Sequence, residues 1–297
     1  MQKVSDANLV KLATYSAIAV ASILVAGKAY AWYLTGSLSI KASLIDSLLD
    51  TFASLLNFIA IYHALRPADD EHRFGHGKAE ALASLGQSIF IAISATWLLK
   101  EIIERFYKPE PLIFSHLAVI VMICATVLTF FLILGQRYVI KRTKSLAVSS
   151  DSLHYQTDLL SNTGVLLCFY LSSYFNISYF DTGVSALISI YLLHSTWSIA
   201  KKSFDILMDR ELPREIIESI TKIAQSHHKV LGIHDLRTRS SGQNEFIQMH
   251  LDLDKDISLH QAHMIADEVA LEINKIYPKA EVIIHQDPVS GDPKNPL

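Results

Sequence analysis

The sequence is short of the residues that mark several common protein classes. Among its 297 residues there are two cysteines, eight prolines and eleven glycines. The cysteines, Cys124 and Cys168, form no CxxC pair, so the chain has no disulfide framework. A formal net charge of −3 without a polybasic stretch gives no indication of nucleic-acid binding. Neither a GxxxxGK[ST] phosphate loop nor a G-x-S-x-G nucleophile elbow occurs, so nothing suggests ATP use or serine-hydrolase chemistry.

Apolar residues, in contrast, are abundant and unevenly distributed. They make up 51% of the chain and form long runs between residues 9 and 207, whereas 208–297 has the composition of a soluble domain. A membrane-spanning helix needs about 20 mostly apolar residues. We therefore predict six spans, with an N-terminal one that is not a cleaved signal peptide. The spans cover residues 9–33, 38–62, 82–106, 114–140, 147–174 and 181–206.

Basic residues favour one orientation of these spans. Alternate loops are rich in lysine and arginine, and the loops between them are poor in both, which places the rich loops on the cytoplasmic side. The basic residues of the rich loops are Arg66, Arg73, Lys78, Arg137, Lys141, Arg142, Lys144, Lys201, Lys202, Arg210 and Arg214. Six spans then put both termini, and the soluble domain, in the cytoplasm.

Two pairs of polar side chains interrupt the apolar runs. Asp46 and Asp50 lie four residues apart in the second span, and His154 and Asp158 have the same spacing in the fifth. Residues four apart share a helix face, and charges inside a membrane span by default mark an ion or proton path. Alternatives are that one aspartate caps a helix or pairs with Lys41, and that His154 lies at a helix start near the membrane interface. Adjacent helices would bring three carboxylates and one imidazole to a single metal ion.

This donor set favours zinc and suggests how transport could be driven. Zn²⁺ prefers four-coordinate sites with nitrogen and oxygen ligands, whereas Mg²⁺ and Mn²⁺ prefer oxygen-rich octahedral ones. The same donor set does not exclude Fe²⁺, Co²⁺ or Cd²⁺ as the bound metal. Four protein ligands leave no position for a bound water, which argues against catalysis. Because a ligating imidazole must be neutral and the carboxylates ionised, protons compete with the metal, as an antiporter requires.

A polar loop joins the second and third spans. Asp69, His72 and His76 have the spacing of metal ligands, although a solvated charged loop would look the same. Lys78 at the end of this loop and Asp209 after the sixth span could pair at the membrane–cytoplasm junction. Two separately solvated charges are the alternative.

The C-terminal region has the pattern of a small αββαβ domain, with both helices on one face of a sheet. Pro213 suits the first turn of a helix, and Ser258 suits the cap of the second one. The predicted helices and strands are 214–227, 230–239, 245–254, a helix from Ser258 to about 277, and 281–286. The residues after Asp287 are expected to be disordered.

Histidines in this domain form a further candidate metal site. His234 and His250 lie on two strands that should pair, and His285 and Asp287 point to one side of the last strand. A lone strand histidine is usually a half-exposed polar residue. Several that converge on a carboxylate indicate a metal site instead.

Five segments together resemble one protein family over residues 9–290. Four of them are SLIDSLLD (43–50), DDEHRFGHGKAEALA (69–83), SSDSLHYQTDLLSN (149–162) and MDRELP (208–213), and the fifth is the histidine-bearing αββαβ domain. The chain resembles the cation diffusion facilitator family, most closely its bacterial YiiP-type zinc transporters.

The resemblance implies a homodimer in the bacterial cytoplasmic membrane that exports Zn²⁺ against inward protons. It implies a transport site (Asp46, Asp50, His154 and Asp158), a loop site (Asp69, His72 and His76), a two-metal cytoplasmic site (His234, His250, His263, His285 and Asp287) and a Lys78–Asp209 charge interlock. Residues 1–208 would form the six-span domain, 209–290 the cytoplasmic metal-binding and dimerisation domain, and 291–297 a disordered tail. The rival functions are a membrane-anchored metal sensor and an intramembrane metalloenzyme.

Overall fold

A computed structural model describes residues 2–36, 38–107, 116–175, 180–242 and 244–289. The chain divides into two compact units, Met1–Phe204 and Asp205–Leu297. The division falls just before the predicted boundary at 208. The predicted tail, 291–297, lies outside the described residues.

Six long helices make up the first unit, and they match the six predicted apolar runs in position. They are α1 (Gln2–Thr35), α2 (Leu38–Ala64), α3 (Lys78–Tyr107), α4 (His116–Thr143), α5 (Leu146–Phe175) and α6 (Phe180–Leu207). Within the described residues, four of them are long and apolar enough to cross a membrane: Asp6–Leu34, Ser43–Ala64, Lys78–Glu104 and Val119–Thr143. The first unit is therefore a helical membrane domain.

Helix α1 begins earlier than the apolar pattern predicts. The polar residues before position 9 continue the helix, and Asp6 is buried there. Its carboxylate lies 3.3 Å from Arg142 Nε at the end of α4. This ion pair gives the polar first turns of α1 a partner that the sequence alone does not reveal.

Helix α5 lies at the centre of the unit. Ala147 and Val148 pack with buried residues of α1, α2 and α4, and Leu153 packs with residues of α3 and α6. Its first turn is held by Glu80 of α3, whose Oε1 accepts hydrogen bonds from Ser145 Oγ (2.5 Å) and from the backbone N–H of Ala147 (3.2 Å). A carboxylate at a helix N-terminus accepts hydrogen bonds from free N–H groups and interacts favourably with the helix dipole.

The second unit has the predicted αββαβ order. It comprises α7 (Arg214–Gln225), β1 (Gly232–Ser241), β2 (Asn244–Asp254), α8 (Leu259–Ile276) and β3 (Ala280–Val289). Strand β2 is central, antiparallel to β1 and parallel to β3, so the sheet is mixed. Strand β3 continues past the predicted end at residue 286, because Pro288 and Val289 still lie opposite residues of β2. The expectation of disorder after Asp287 is therefore wrong for these two residues.

Both helices of this unit pack on one face of the sheet, as predicted. Alternate residues of β2 point into a core shared with α7 and α8. The core residues are Ile220, Ala224, Ile247, Met249, Leu251, Leu253, Ile265, Val269 and Ile273. Ser258 forms a capping box with Gln261 at the start of α8. The opposite face of the sheet carries polar side chains, His250 and Asp287 among them, together with Phe246 and Ile283.

Candidate metal centres

The helical unit brings three of the four predicted transport ligands together. Asp50 of α2 and His154 and Asp158 of α5 each offer a ligand atom, and these atoms lie within 4.8 Å of one another. His154 Nε2 is 3.0 Å from Asp50 Oδ1. Asp46 lies one turn before Asp50 on α2, and its side chain is outside the described residues.

The imidazole of His154 is placed as a ligand would be. Its side chain is 7% exposed, and its ring lies beside those of Phe90 and Tyr155. Nε2 lies against the Asp50 carboxylate outside good hydrogen-bond geometry, and this buried atom has no other hydrogen-bond partner in the described part of the chain. A buried polar atom without a hydrogen bond is costly unless a ligand satisfies it. Imidazole and carboxylate donors fit a divalent transition metal.

A polar cavity of about 180 Å³ adjoins this cluster. It is bounded by α1, α2, α4 and α5. Its lining residues include Lys28, Ser47, Asp50, Thr129, Tyr155 and Asp158. Sequence reasoning missed Lys28, although a lysine inside an apolar run was a usable signal.

The loop before α3 brings its three predicted ligands together as well. Asp69 lies 3.3 Å from His72 Nδ1 and 3.2 Å from His76 Nε2. Gly75 at φ +78° lets the chain turn sharply between the two histidines. The pKa of Asp69 is held below its usual value, chiefly because the carboxylate accepts a hydrogen bond from the backbone N–H of His72. An ionised carboxylate beside two imidazoles suits a cation at this exposed position.

The third cluster lies on the open face of the C-terminal sheet. His234, His250 and His285 are register neighbours on β1, β2 and β3, so their side chains lie in one row across the strands. Asp287 lies within reach of all three: 3.2 Å from His234 Nε2, 2.7 Å from His250 Nδ1 and 3.2 Å from His285 Nε2. The pKa of Asp287 is lowered, chiefly by the hydrogen bond from His250.

Sequence reasoning missed two acidic residues beside this third cluster: Asp252, and Asp235, whose Oδ2 lies 3.9 Å from His250 Nε2. Asp252 Oδ1 lies 3.2 Å from His234 Nδ1. Asp252 is opposite Gly232, where any side chain would clash with its carboxylate. The strand alternation already places Asp252 on the same face as His250, and that was the available signal.

His263 is not brought to this cluster within one chain. It lies on α8, which packs on the opposite face of the sheet, and its Nε2 contacts Asp267 at 3.4 Å. The interlock of Lys78 with Asp209 stays a prediction. Within the C-terminal unit, Asp209 contacts Arg239 Nη1 at 3.4 Å, a partner that sequence reasoning did not foresee.

Comparison with known proteins places this chain in a family over most of its length. Residues 14–208 match the cation efflux transmembrane domain, and 212–289 match the cytoplasmic domain of cation efflux proteins. The chain is 45% identical over 290 residues to the cation-efflux pump FieF of Shigella boydii serotype 18, covering 98% of this chain and 96% of that protein. It is 45% identical over 284 residues to FieF of Shewanella oneidensis, covering 96% of each.

A solved structure of CzrB in its zinc form is 31% identical, with a TM-score of 0.27, and covers 29% of this chain and 99% of that one. Matches to both domain models and to full-length relatives agree with the expected resemblance. The chain therefore belongs to the cation efflux family, the cation diffusion facilitators, and is a membrane transporter with a transmembrane helical domain followed by a cytoplasmic domain.

Proposed function

We propose that this transporter exports Zn²⁺ from the cytoplasm in exchange for protons, with Cd²⁺ and Fe²⁺ as further substrates. The convergence of Asp50, His154 and Asp158 inside the helical domain carries this proposal. Ionisable groups within a membrane domain are costly, and a shared metal ion gives all three one purpose. Asp46, one helical turn before Asp50, is the fourth ligand.

The chemistry of these ligands supplies the exchange. The imidazole of His154 must lose its proton to bind metal, and the aspartates must be ionised. Release of the metal ion therefore allows protons to bind to the same groups, and loss of those protons allows metal to bind again. Coupling then needs only two conformations in which the site opens to opposite sides.

The cavity supports such alternation. It adjoins Asp50 and Asp158 on the side of the bundle where α1 leads into α2. Tyr155, which also lines the cavity, is buried, and its hydroxyl lies 2.9 Å from Ser54 Oγ, which joins α5 to α2. One end state of the cycle has this arrangement, with the site open to the cavity.

The remaining expectations form part of the same proposal. All six helices span the bacterial cytoplasmic membrane, with both termini in the cytoplasm, so that the cavity faces outward. The cytoplasmic domains associate to form a homodimer. The Asp69 and Asp287 clusters hold resident Zn²⁺ that stabilises the dimer and responds to the metal level, since their nitrogen and oxygen donors suit this ion.

Flux of Zn²⁺ into proteoliposomes under an imposed pH gradient tests the proposal. Wild-type flux should follow the gradient and vanish in Asp50→Ala, while Asp70→Ala, a matched change at an exposed aspartate, should transport normally. Wild-type flux that does not depend on the pH gradient would exclude exchange with protons. Normal flux in Asp50→Ala would overturn the site assignment, and no flux in the wild type, in protein that binds zinc, would favour a membrane-anchored sensor.

A further inference from the structure

Two parallel rows of residues cross the open face of the C-terminal sheet. The row of histidines has a second row beside it, two residues away on each strand, which consists of Gly232, Asp252 and Asp287. Asp252 is the register neighbour of Asp287, so two carboxylates lie next to each other on adjacent strands. Like charges directly opposite each other destabilise a sheet. Asp252 therefore needs a reason to be at this position.

The imidazole of His234 lies between these two carboxylates. Its Nδ1 is 3.2 Å from Asp252 Oδ1, and its Nε2 is 3.2 Å from Asp287 Oδ2. A neutral imidazole has one N–H donor and one lone pair, so it can donate to only one of the two carboxylates. Its lone pair then faces the other carboxylate, which is unfavourable unless a cation lies between them. The ring therefore suits a metal ion at one nitrogen and an acceptor at the other.

The other histidines decide which nitrogen of His234 faces the metal. Ligand atoms of His234, His250 and Asp287 lie within 4.8 Å of one another, and His285 Nε2 is 3.2 Å from Asp287. The metal position is therefore on the Nε2 side of His234, and Nδ1 is left to Asp252. Histidines that bind metal almost always donate their other N–H to a carboxylate, a carbonyl or water, which fixes the tautomer and makes the ligating nitrogen more basic.

Gly232 provides the space in which the Asp252 carboxylate lies. A Cβ atom at Gly232 would overlap Oδ2 of Asp252. The φ angle of Gly232 is not positive, so conformational freedom does not explain a glycine here. The backbone beside it is fixed as well, because the N–H of Leu231 donates a hydrogen bond of 2.9 Å to the carbonyl oxygen of Asp252. The missing side chain thus lets the carboxylate lie against β1, beside His234.

We propose that Asp252 is a positioning residue of the cytoplasmic metal site: it accepts the Nδ1 proton of His234 and directs Nε2 to the metal, from a place that Gly232 keeps free. This inference rests on the proposed function, which puts resident Zn²⁺ at the Asp287 cluster. Asp252 acts through the imidazole and is not itself a ligand. It makes His234 a stronger donor, so the site binds Zn²⁺ more tightly and releases it more slowly.

Zn²⁺ binding by the full-length chain in detergent, in competition with a chelating indicator, tests the inference. The background carries Asp50→Ala and Asp69→Ala, so that the cytoplasmic site dominates binding. Asp252→Ala should raise the Kd about 10–100-fold, and a rise of less than about threefold would overturn the inference. Asp252→Asn keeps an acceptor oxygen without the charge and should lie between the two. Asp256→Ala, at an exposed aspartate just after β2, is the matched control and should change nothing.

Gly232→Ala tests the same contact without changing a carboxylate. Its Cβ should displace Asp252 and raise the Kd about as much as Asp252→Ala does. In a chain that already carries Asp252→Ala, the added methyl group should change the Kd less than about threefold, because residues that act through one contact are not additive. Losses that add in the double variant would overturn the assignment, because Gly232 would then not act through Asp252.

Three further measurements separate a positioning role from the alternatives. Co²⁺ bound in place of Zn²⁺ should keep its visible spectrum in Asp252→Ala, whereas a changed spectrum or fewer ions per chain would make Asp252 a ligand and overturn the inference. Metal-free Asp252→Ala should unfold at the temperature of the background, and a lower temperature would indicate a merely structural role instead. Asp287→Ala should abolish tight binding. If it does not, the cytoplasmic site of the proposed function fails and the inference with it, while flux through the transport site is judged separately.

Discussion

The two units of the chain bury opposite kinds of side chain. The core of the C-terminal unit consists of aliphatic residues and Met249, with polar groups on its open sheet face. The helical unit instead buries Glu80, Gln136 and Asp151 between its helices and exposes many large apolar residues. Lipid is as apolar as leucine, so helices in a membrane gain little from apolar burial and associate through packing and hydrogen bonds.

The candidate metal clusters of the two units also differ in how far their side chains are buried. His154 is buried, and its Nε2 has no hydrogen bond in the described part of the chain. His250 is half-buried, and its Nδ1 is 2.7 Å from Asp287. Protein partners and water can satisfy the exposed cluster without metal, whereas the buried one depends on a bound cation or proton. We therefore expect loss of a ligand to have different consequences in the two places.

The largest expected effect is the loss of transport when a ligand of the buried cluster is removed, and it tests this comparison most directly. His154→Ala should reduce Zn²⁺ flux in proteoliposomes at least about 100-fold, since even residues behind a metal ligand are worth 10–100-fold. His234→Ala should reduce flux less than about tenfold, because it acts only through the cytoplasmic cluster. Equal losses in the two variants would show that transport depends on both clusters alike.

Local periodicity made the main features of both regions predictable. The i, i+4 spacing of His154 and Asp158 places them on one helix face whatever the tertiary structure. The two-residue period likewise put His250 and Asp252 on one face of β2. Strand pairing then predicted that His234 would meet His250, and the two are direct register partners.

Features that depend on contacts between distant segments were not predictable in this way. Nothing local to Lys28 shows that α1 packs beside Ser47, and nothing local to Glu80 shows that it meets the start of α5. His263 was assigned through family resemblance alone, and the packing of α8 on the far face of the sheet keeps it from the cluster within one chain. Assigning Asp252 to the cluster required its register position opposite Gly232 as well as the strand alternation.

A substitution in the apolar core of the C-terminal unit tests how much apolar burial contributes to its stability. Met249 is fully buried in the C-terminal core, so Met249→Ala should cost about 2–5 kcal/mol of stability. Ile283→Ala, on the same sheet at a half-exposed position, should cost much less. Hydrogen exchange at the amides of β2 in the full-length chain measures the difference. Similar protection in both variants would contradict the assignment of this core.

The corresponding test in the helical unit removes a polar contact. Glu80→Ala leaves Ser145 Oγ and the backbone N–H of Ala147 without their acceptor, which should cost about 1–3 kcal/mol. Thermal unfolding in detergent, with exchange at the first amides of α5, should show the loss. Glu104→Ala is the control, because this exposed residue forms a surface ion pair with Lys100 at 3.6 Å. A larger effect at Glu104 would reverse the comparison.

The smallest expected effect concerns an exposed contact in the C-terminal unit. Glu268 Oε2 lies 2.9 Å from His227 Nε2, and this hydrogen bond holds the pKa of Glu268 below its usual value. A lowered pKa in the folded state stabilises it above the ordinary glutamate pKa of about 4.3, and this contribution is lost as the pH falls through the lowered value. Glu268→Gln should therefore be slightly less stable than wild type at neutral pH, and the two should converge in acid. Because the pair is exposed, salt should shrink the difference. Hydrogen exchange across α8 as a function of pH measures it, and a difference that grows on acidification would contradict the role given to this carboxylate.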